Sequence, residues 1–226
     1  MSSTGSTNTD LAESARAGTT GVEALVADHQ SAGRGRLDRR WEDDGVGQLM
    51  FSLRLPAGDQ PHVVPSAIAV AAHAAVVGAG VDAGIKWPND LVVETGRAPG
   101  KLAGMLSEFV TSTPACVVVG LGLNVGSAPV VEATSLAANG SDASRDDILA
   151  ALLDALPGLL ADPAATFAEM RTRSATIGRR VRIEQPGGDL VGVATDLTAD
   201  GGLALSVDGE TLEVAVGDVI HLRAED

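Results

Sequence analysis

The stretch KLAGMLSEFVTSTPACVVVGLGLNV, Lys101–Val125, contains two apolar runs rich in β-branched residues, Lys101–Val110 and Ala115–Val125, which read as consecutive strands. Just before it, Gly84–Trp87 and Asp90–Glu94 are two further strand candidates, with Pro88, Gly96 and Gly100 as turn signals in between. Strands in such quick succession predict a sheet-centred, largely antiparallel fold. Towards the N-terminus, Thr7–Gly18 has helix formers after an Asn/Thr/Asp opening and a glycine stop, Val22–Asp28 reads as a strand, and Gly47–Leu55 alternates as a half-buried strand. Ser66–Gly80 is a small-residue helix with Pro65 in front and Gly78 and Gly80 closing it, able to lie close on a sheet.

Towards the C-terminus, Arg145–Leu160 and Ala164–Ser174 read as helices divided at Pro163. The character then changes. Short β runs separated by PGG, ADGG and VDGE predict a small barrel or sandwich, so the expected boundary lies near Ala175, giving residues 1–174 and 175–226. The expected class is α+β, a mixed, largely antiparallel sheet with flanking helices plus a small C-terminal β-barrel.

At 226 residues the chain is long enough to bury roughly 70–75% of its unfolded surface. Its 30 acidic against 16 basic residues give a net charge of −14, which repels polyanions and argues against wholesale nucleic-acid binding. One cysteine, Cys116, excludes an internal disulfide and offers no cysteine-zinc spacing. The four histidines stand in no metal-ligand spacing. No charged start followed by a long apolar run is present, so the expectation is a cytoplasmic protein with no membrane segment.

Against this acidic background, HQSAGRGRLDRRW, His29–Trp41, crowds four arginines and two glycines together. Gly33 and Gly35 let backbone approach a ligand, and Arg34 and Arg36 add planar forks matched to carboxylate or phosphate oxygens. The competing reading is a solvated basic loop paired with Glu42, Asp43 and Asp44 nearby. Lysine occurs only twice beside 14 arginines, as Lys86 in IKWPNDLVV and Lys101 in GKLAGMLSE. Pro88 makes the first of these a rigid turn presenting Lys86, Asn89 and Asp90, while Ala103 and Gly104 leave room beside Lys101. GLGLNV closes a strand with Gly120, Gly122 and Asn124, and Ser6, Thr7 and Asn8 stand at a helix start, where they cap it or hold a small polar ligand.

In order and spacing, STN, HQSAGRGRLDRRW, KWPNDL, KLAGML and GLGLN, followed by a short β-rich tail, resemble the biotin protein ligase family over essentially the whole chain. The resemblance implies a class II synthetase-like catalytic domain and an SH3-like C-terminal domain. It also implies activation of biotin by ATP to biotinyl-5′-adenylate, with transfer to a lysine of a biotin carboxyl carrier protein domain of a biotin-dependent carboxylase. By residue match, Ser6, Thr7, Asn8, Gln30, Gly33, Arg34, Gly35, Arg36 and Lys101 would surround biotin and the acyl phosphate, with Gly122 beneath. Arg39, Trp41, Lys86, Asn89 and Asp90 would attend the nucleotide side, Trp41 stacking on adenine and Mg²⁺ bridging phosphates, and Asn124 would belong to the same ligand-binding set.

The implied catalytic groups are Lys101 and Arg34, on the developing charge, and Asp90, on the acceptor amine. The family loop usually reads Gly-Arg-Gly-Arg-x-Gly-Arg. Here Asp38 takes the last of these glycine positions, which puts the loop's backbone freedom in doubt and an acid beside the expected anion site, while Arg34, Arg36 and Arg39 stay in place. STN begins at Ser6, so the expectation is a monofunctional ligase without a DNA-binding domain, a monomer or weak homodimer. Two alternatives stand beside this: a lipoate ligase with the same adenylation logic, and a non-catalytic module whose arginine loop and barrel bind RNA or an acidic protein.

Overall fold

A computed structural model describes residues 1–45, 47–185, 187–215 and 217–222. The two strands that open the sequence reading, β5 (Gly100–Val110) and β6 (Cys116–Asn124), pair antiparallel near the middle of a six-stranded sheet. The other strands are β1 (Glu23–Ala27), β2 (Gln48–Pro56), β3 (Gly84–Lys86) and β4 (Asp90–Val93), in the order β1-β2-β6-β5-β4-β3. All neighbouring strands are antiparallel, and parallel pairing is confined to isolated bridges such as Thr4–Gln30 and Lys101–Ala133.

The pleat sorts residues onto two faces. On one, Gly122 lies between Met50 and Gly104, Gly120 between Ser52 and Leu106, and Val118 between Arg54 and Glu108. Helix α1 (Thr7–Arg16) covers part of this face, packing Leu11, Ala12 and Ala15 on Val110, Cys116 and Val118. The glycine rows beyond the helix start stay open. The other face carries Phe51, Met105, Leu121 and Leu123 into the main core, against α2 (Val63–Gly78), α3 (Arg145–Ala161) and α4 (Pro163–Thr172).

Two local expectations change. Helix α2 begins at Val63, three residues before Ser66, because Pro65 sits inside the first turn, where no intrahelical amide bond is lost. Strand β2 is not half-buried: Gln48–Arg54 are buried at every position, since helices cover both faces of this central strand. Its polar residues mark the α1 side.

A second, five-stranded antiparallel sheet contains β7 (Arg180–Glu184), β8 (Leu190–Leu197), β9 (Leu203–Val207), β10 (Glu210–Val214) and β11 (Asp218–His221), in the order β10-β9-β8-β7-β11. Its interior, including Val181, Ile183, Leu203 and Leu205, is continuous with the main core. Trp87 joins the two sheets, its amide donating to Thr176 Oγ1 at 3.0 Å and its indole to the Gly201 carbonyl at 2.9 Å. No helix among the described residues is long and apolar enough to cross a membrane.

Candidate functional site

The start of α1 supplies one wall of a cleft on the glycine-rich face. Ser6 caps the helix by accepting from the Thr9 amide, which leaves the next two side chains for other partners. Gln30 Oε1 accepts from the Thr7 amide at 2.7 Å and from its hydroxyl at 3.0 Å, while Thr7 and Ser52 hydroxyls lie 2.7 Å apart. Asn8, only 4% exposed, donates through Nδ2 to Glu108, and its Oδ1 has no hydrogen-bond partner among the described residues. Gly120 makes room for it, because a Cβ there would lie 2.9 Å from that oxygen.

The arginine loop forms a tight hairpin over the cleft. Its cross-links run from the Trp41 amide to the Gly33 carbonyl (3.0 Å), from Gly35 to Arg39 (2.7 Å) and from Arg39 to Arg36 (3.1 Å). At its tip Leu37 (φ 54°) and Asp38 (φ 57°) are both left-handed, the backbone of a type I′ turn. The glycine usual at position 38 therefore meets a positive-φ requirement, which Asp tolerates better than most residues. The expectation that Asp38 crowds an anion site is corrected, since the side chain is exposed at the turn tip and does not line the cleft.

Among the described residues, no ion pair joins an arginine of the loop to Glu42 or Asp43. Asp43 instead meets His29 at 2.8 Å and the Gln30 amide at 2.9 Å. Arg34 Nη1 donates to both Glu108 carboxylate oxygens at 2.9 Å. Arg36 donates to Asn89 Oδ1 at 3.0 Å and to the Gly217 carbonyl at 2.9 Å, and Arg39 pairs with Asp218 at 2.6 Å. Burial lowers the Arg36 guanidinium from its ordinary value, against the opposing pull of Asp218 and Asp90.

On the opposite wall, Lys101 Nζ and Asp90 Oδ1 form an ion pair at 2.8 Å. Asn89, just before β4, exchanges hydrogen bonds with the Met105 backbone, fixing the turn against β5. The floor is made by Gly104 and Gly122: a Cβ at 104 would lie 3.1 Å from Lys101 Nζ, and one at 122 would run into the Trp41 ring. Trp41 thus lies across the floor, its indole nitrogen buried without a partner among the described residues. The cleft spans about 740 Å³ of space, its open mouth included. Trp41 and Lys101 also line a smaller pocket of about 430 Å³, with Asn124, Pro129, Val130 and Ala133.

Residues 2–124 match the sequence model of the biotin/lipoate A/B protein ligase family, and residues 176–222 that of the biotin protein ligase C-terminal domain. The chain belongs to the biotin/lipoate A/B protein ligase family. It is 39% identical to the biotin–[acetyl-CoA-carboxylase] ligase of Mycobacterium tuberculosis, an alignment covering 99% of this chain and 88% of that one. It is 28% identical to the Escherichia coli bifunctional ligase/repressor BirA over 89% of this chain and 67% of that one. At the level of fold it is similar to the Aquifex aeolicus biotin protein ligase solved with biotin and ATP, with a TM-score of 0.82, 24% identity, and 99% and 97% of the two chains covered. The Leishmania major ligase solved with biotinyl-5-AMP has a TM-score of 0.67 at 23% identity, with 99% and 97% covered.

Of the residues that the family resemblance singles out, Ser6, Thr7, Asn8, Gln30, Arg34, Gly35, Arg36, Arg39, Trp41, Asn89, Asp90, Lys101 and Gly122 converge on the cleft. Three do not. Gly33 is packed under the Trp41 backbone, where a Cβ would collide with the Trp41 carbonyl, so it closes the hairpin instead of facing the cleft. Asn124 belongs to the smaller pocket, its Oδ1 buried without a partner among the described residues. Lys86 lies towards the second sheet, near enough for its charge to act on His221.

Ser52, Gly120, Glu108 and Asp218 complete the constellation. Two two-residue steps along β5 from Gly104 reach Glu108, so the strand period carried a signal for it. Asp218, far along the chain from Arg39, had none.

Proposed function

We propose that this cleft activates biotin with ATP and passes it to a lysine of a biotin carboxyl carrier protein domain, with residues 1–174 as catalytic domain and 175–226 as C-terminal domain. The observation that carries the reading is the buried, unpaired Asn8 Oδ1 beside the Thr7, Gln30 and Ser52 polar cluster, over the Gly120 floor. Biotin ends in a ureido ring with two N–H donors and a carbonyl acceptor, which suits an acceptor flanked by hydroxyls. A lipoyl dithiolane has no donor. It would leave Asn8 Oδ1 unsatisfied, at a cost of about 1–3 kcal/mol, so the polar cluster favours biotin over lipoate.

With the ring at α1, the valeryl chain runs over the glycine floor and its carboxylate reaches Lys101. In adenylation a carboxylate oxygen attacks the ATP α-phosphorus and pyrophosphate leaves. Lys101 serves as the charge clamp on the phosphoryl oxygens, supported by Arg34, Arg36 and Arg39. The smaller pocket suits a purine: Trp41 offers a ring face, Pro129 and Val130 an apolar wall, and Asn124 Oδ1 an acceptor for an exocyclic amine. Lys86 has no part in this nucleotide site.

Among the described residues no three His, Cys, Asp or Glu side chains gather as a metal site, and the cleft's Asp90 and Asp218 are already paired with Lys101 and Arg39. Mg²⁺ therefore belongs to the proposal only as a companion of the nucleotide phosphates. In transfer, the acceptor amine attacks the acyl carbon and AMP leaves, with Asp90 orienting the incoming ammonium and taking its proton. The carrier approaches along the edge of β5, whose Leu106–Val110 segment runs past Asp90, the first residue of β4. The same alignment of reaction and cleft argues for a small-molecule and protein partner rather than nucleic acid.

The test is ATP–pyrophosphate exchange with biotin, with lipoate and with neither. Exchange is expected to require biotin, and Lys101→Gln, which removes charge at similar length, should reduce it at least about a hundredfold without unfolding the protein. Exchange driven by lipoate would overturn the substrate, and a variant within a few fold of wild type would overturn the clamp.

A further inference from the structure

Glu108 is absent from the motif residues, yet it is the side chain that joins the arginine loop to the start of α1. It projects from β5 on the cleft face, 22% exposed at its side chain, and receives Arg34 Nη1 on both oxygens at 2.9 Å while Oε2 also accepts from Asn8 Nδ2. A carboxylate can only accept. It therefore forces the Asn8 amide to present its nitrogen to Glu108 and its oxygen to Gly120 on the cleft floor, where that oxygen is buried with no partner among the described residues.

We propose that Glu108 is a positioning residue for biotin, acting through Asn8 and, on the same carboxylate, through Arg34. The proposal rests on the biotin reading of the cleft. Its content is a polarity: the acceptor-only partner sets which end of the Asn8 amide meets the ligand, and a ureido N–H requires the oxygen. Arg34 adds a second constraint, since its positive charge stays within reach of the cleft, but its direction is set from behind by Glu108.

Glu108→Gln separates this polarity from simple support. The variant keeps length and volume, but a glutamine can donate as well as accept, so the Asn8 amide is free to turn its nitrogen towards the ligand and set donor against donor. The expected result is a KM for biotin raised at least about tenfold, a larger change than that in the KM for ATP, with the melting temperature close to wild type. Glu108→Asp keeps acceptor-only chemistry on a shorter arm and should recover a large part of the biotin KM. An unchanged biotin KM in Glu108→Gln overturns the proposal. So does a uniform loss of stability and of all kinetic constants, which marks a merely structural residue, and so does Glu108→Asp being as impaired as Glu108→Gln. If the wild-type protein shows no biotin-dependent exchange, the cleft reading itself fails; biotin-dependent exchange in wild type with an unmoved Gln variant isolates the failure to Glu108.

Discussion

Two consecutive left-handed residues, Leu37 and Asp38, hold the tip of the arginine hairpin. Each sits in a region that costs a non-glycine residue roughly 1 kcal/mol or more, and both side chains are exposed, so no packing at the tip offsets that cost. Asp38→Gly removes the penalty at one of them. It should stabilise the protein by about 0.5–1 kcal/mol, read as a higher urea midpoint with unchanged slope, whereas Asp38→Ala should lower the midpoint. Equal midpoints for the Gly and Ala variants would show that the turn is not held in this form. The sequence identified position 38 by its departure from a pattern and pointed to two consequences, of which the backbone one is met by the left-handed turn and the electrostatic one is not, since the side chain is exposed at the tip. Turn handedness is visible only once the cross-strand bonds of the hairpin are known.

At the scale of elements, Arg54 explains how α1 stays in place over the sheet. It is 1% exposed on β2, donates to the Gly21 and Thr20 carbonyls at 3.3 and 3.4 Å and to Ser14 Oγ at 3.3 Å, and pairs with Glu23 at 2.9 Å. One guanidinium thus satisfies the chain leaving α1 and anchors the edge strand β1. Arg54→Ala would strand those carbonyls and should cost about 2–4 kcal/mol, measured by urea denaturation; a loss below about 0.5 kcal/mol, the scale of ordinary surface substitutions, would mean water replaces the arginine without penalty. In sequence, Arg54 falls in a strand that reads as half-buried. Alternation of residue types reports one covered face, while coverage of the second by a helix from elsewhere in the chain leaves no local trace.

The whole molecule depends on how the second sheet meets the first. Asp218 and the Gly217 carbonyl reach the arginine loop, Trp87 and Thr176 join the sheets, and His221 lies beside them, its Nε2 3.2 Å from Thr176 Oγ1. Burial, with the charges of Lys86 and Arg179, lowers His221 from 6.5 to about 4. Between those values the unfolded chain takes up a proton that the folded protein refuses, so stability is full above about pH 6.5 and is lost as pH falls towards about 4. His73, also lowered by burial, acts in the same direction. The urea midpoint should drop across this window, and His221→Gln should flatten part of the drop. An identical pH profile for the variant would place the acid sensitivity elsewhere.

The sequence by itself determined most strands and helices and brought most of the cleft residues to notice, because hydrophobic period, turn residues and short motifs are local properties of the chain. Scarcity did the rest: in an arginine-using chain, Lys101 stood out before any fold was known. Only the tertiary structure decided that Lys86 turns towards His221, that Asn124 and Trp41 share a second pocket, and that Glu108 and Asp218 hold the arginines. Those are relations between side chains distant in the chain, Arg34 with Glu108 and Arg39 with Asp218 among them, and no local pattern encodes which acid will face which arginine. The charge of each residue is written in its type; its partner is chosen by the packing of the sheet faces.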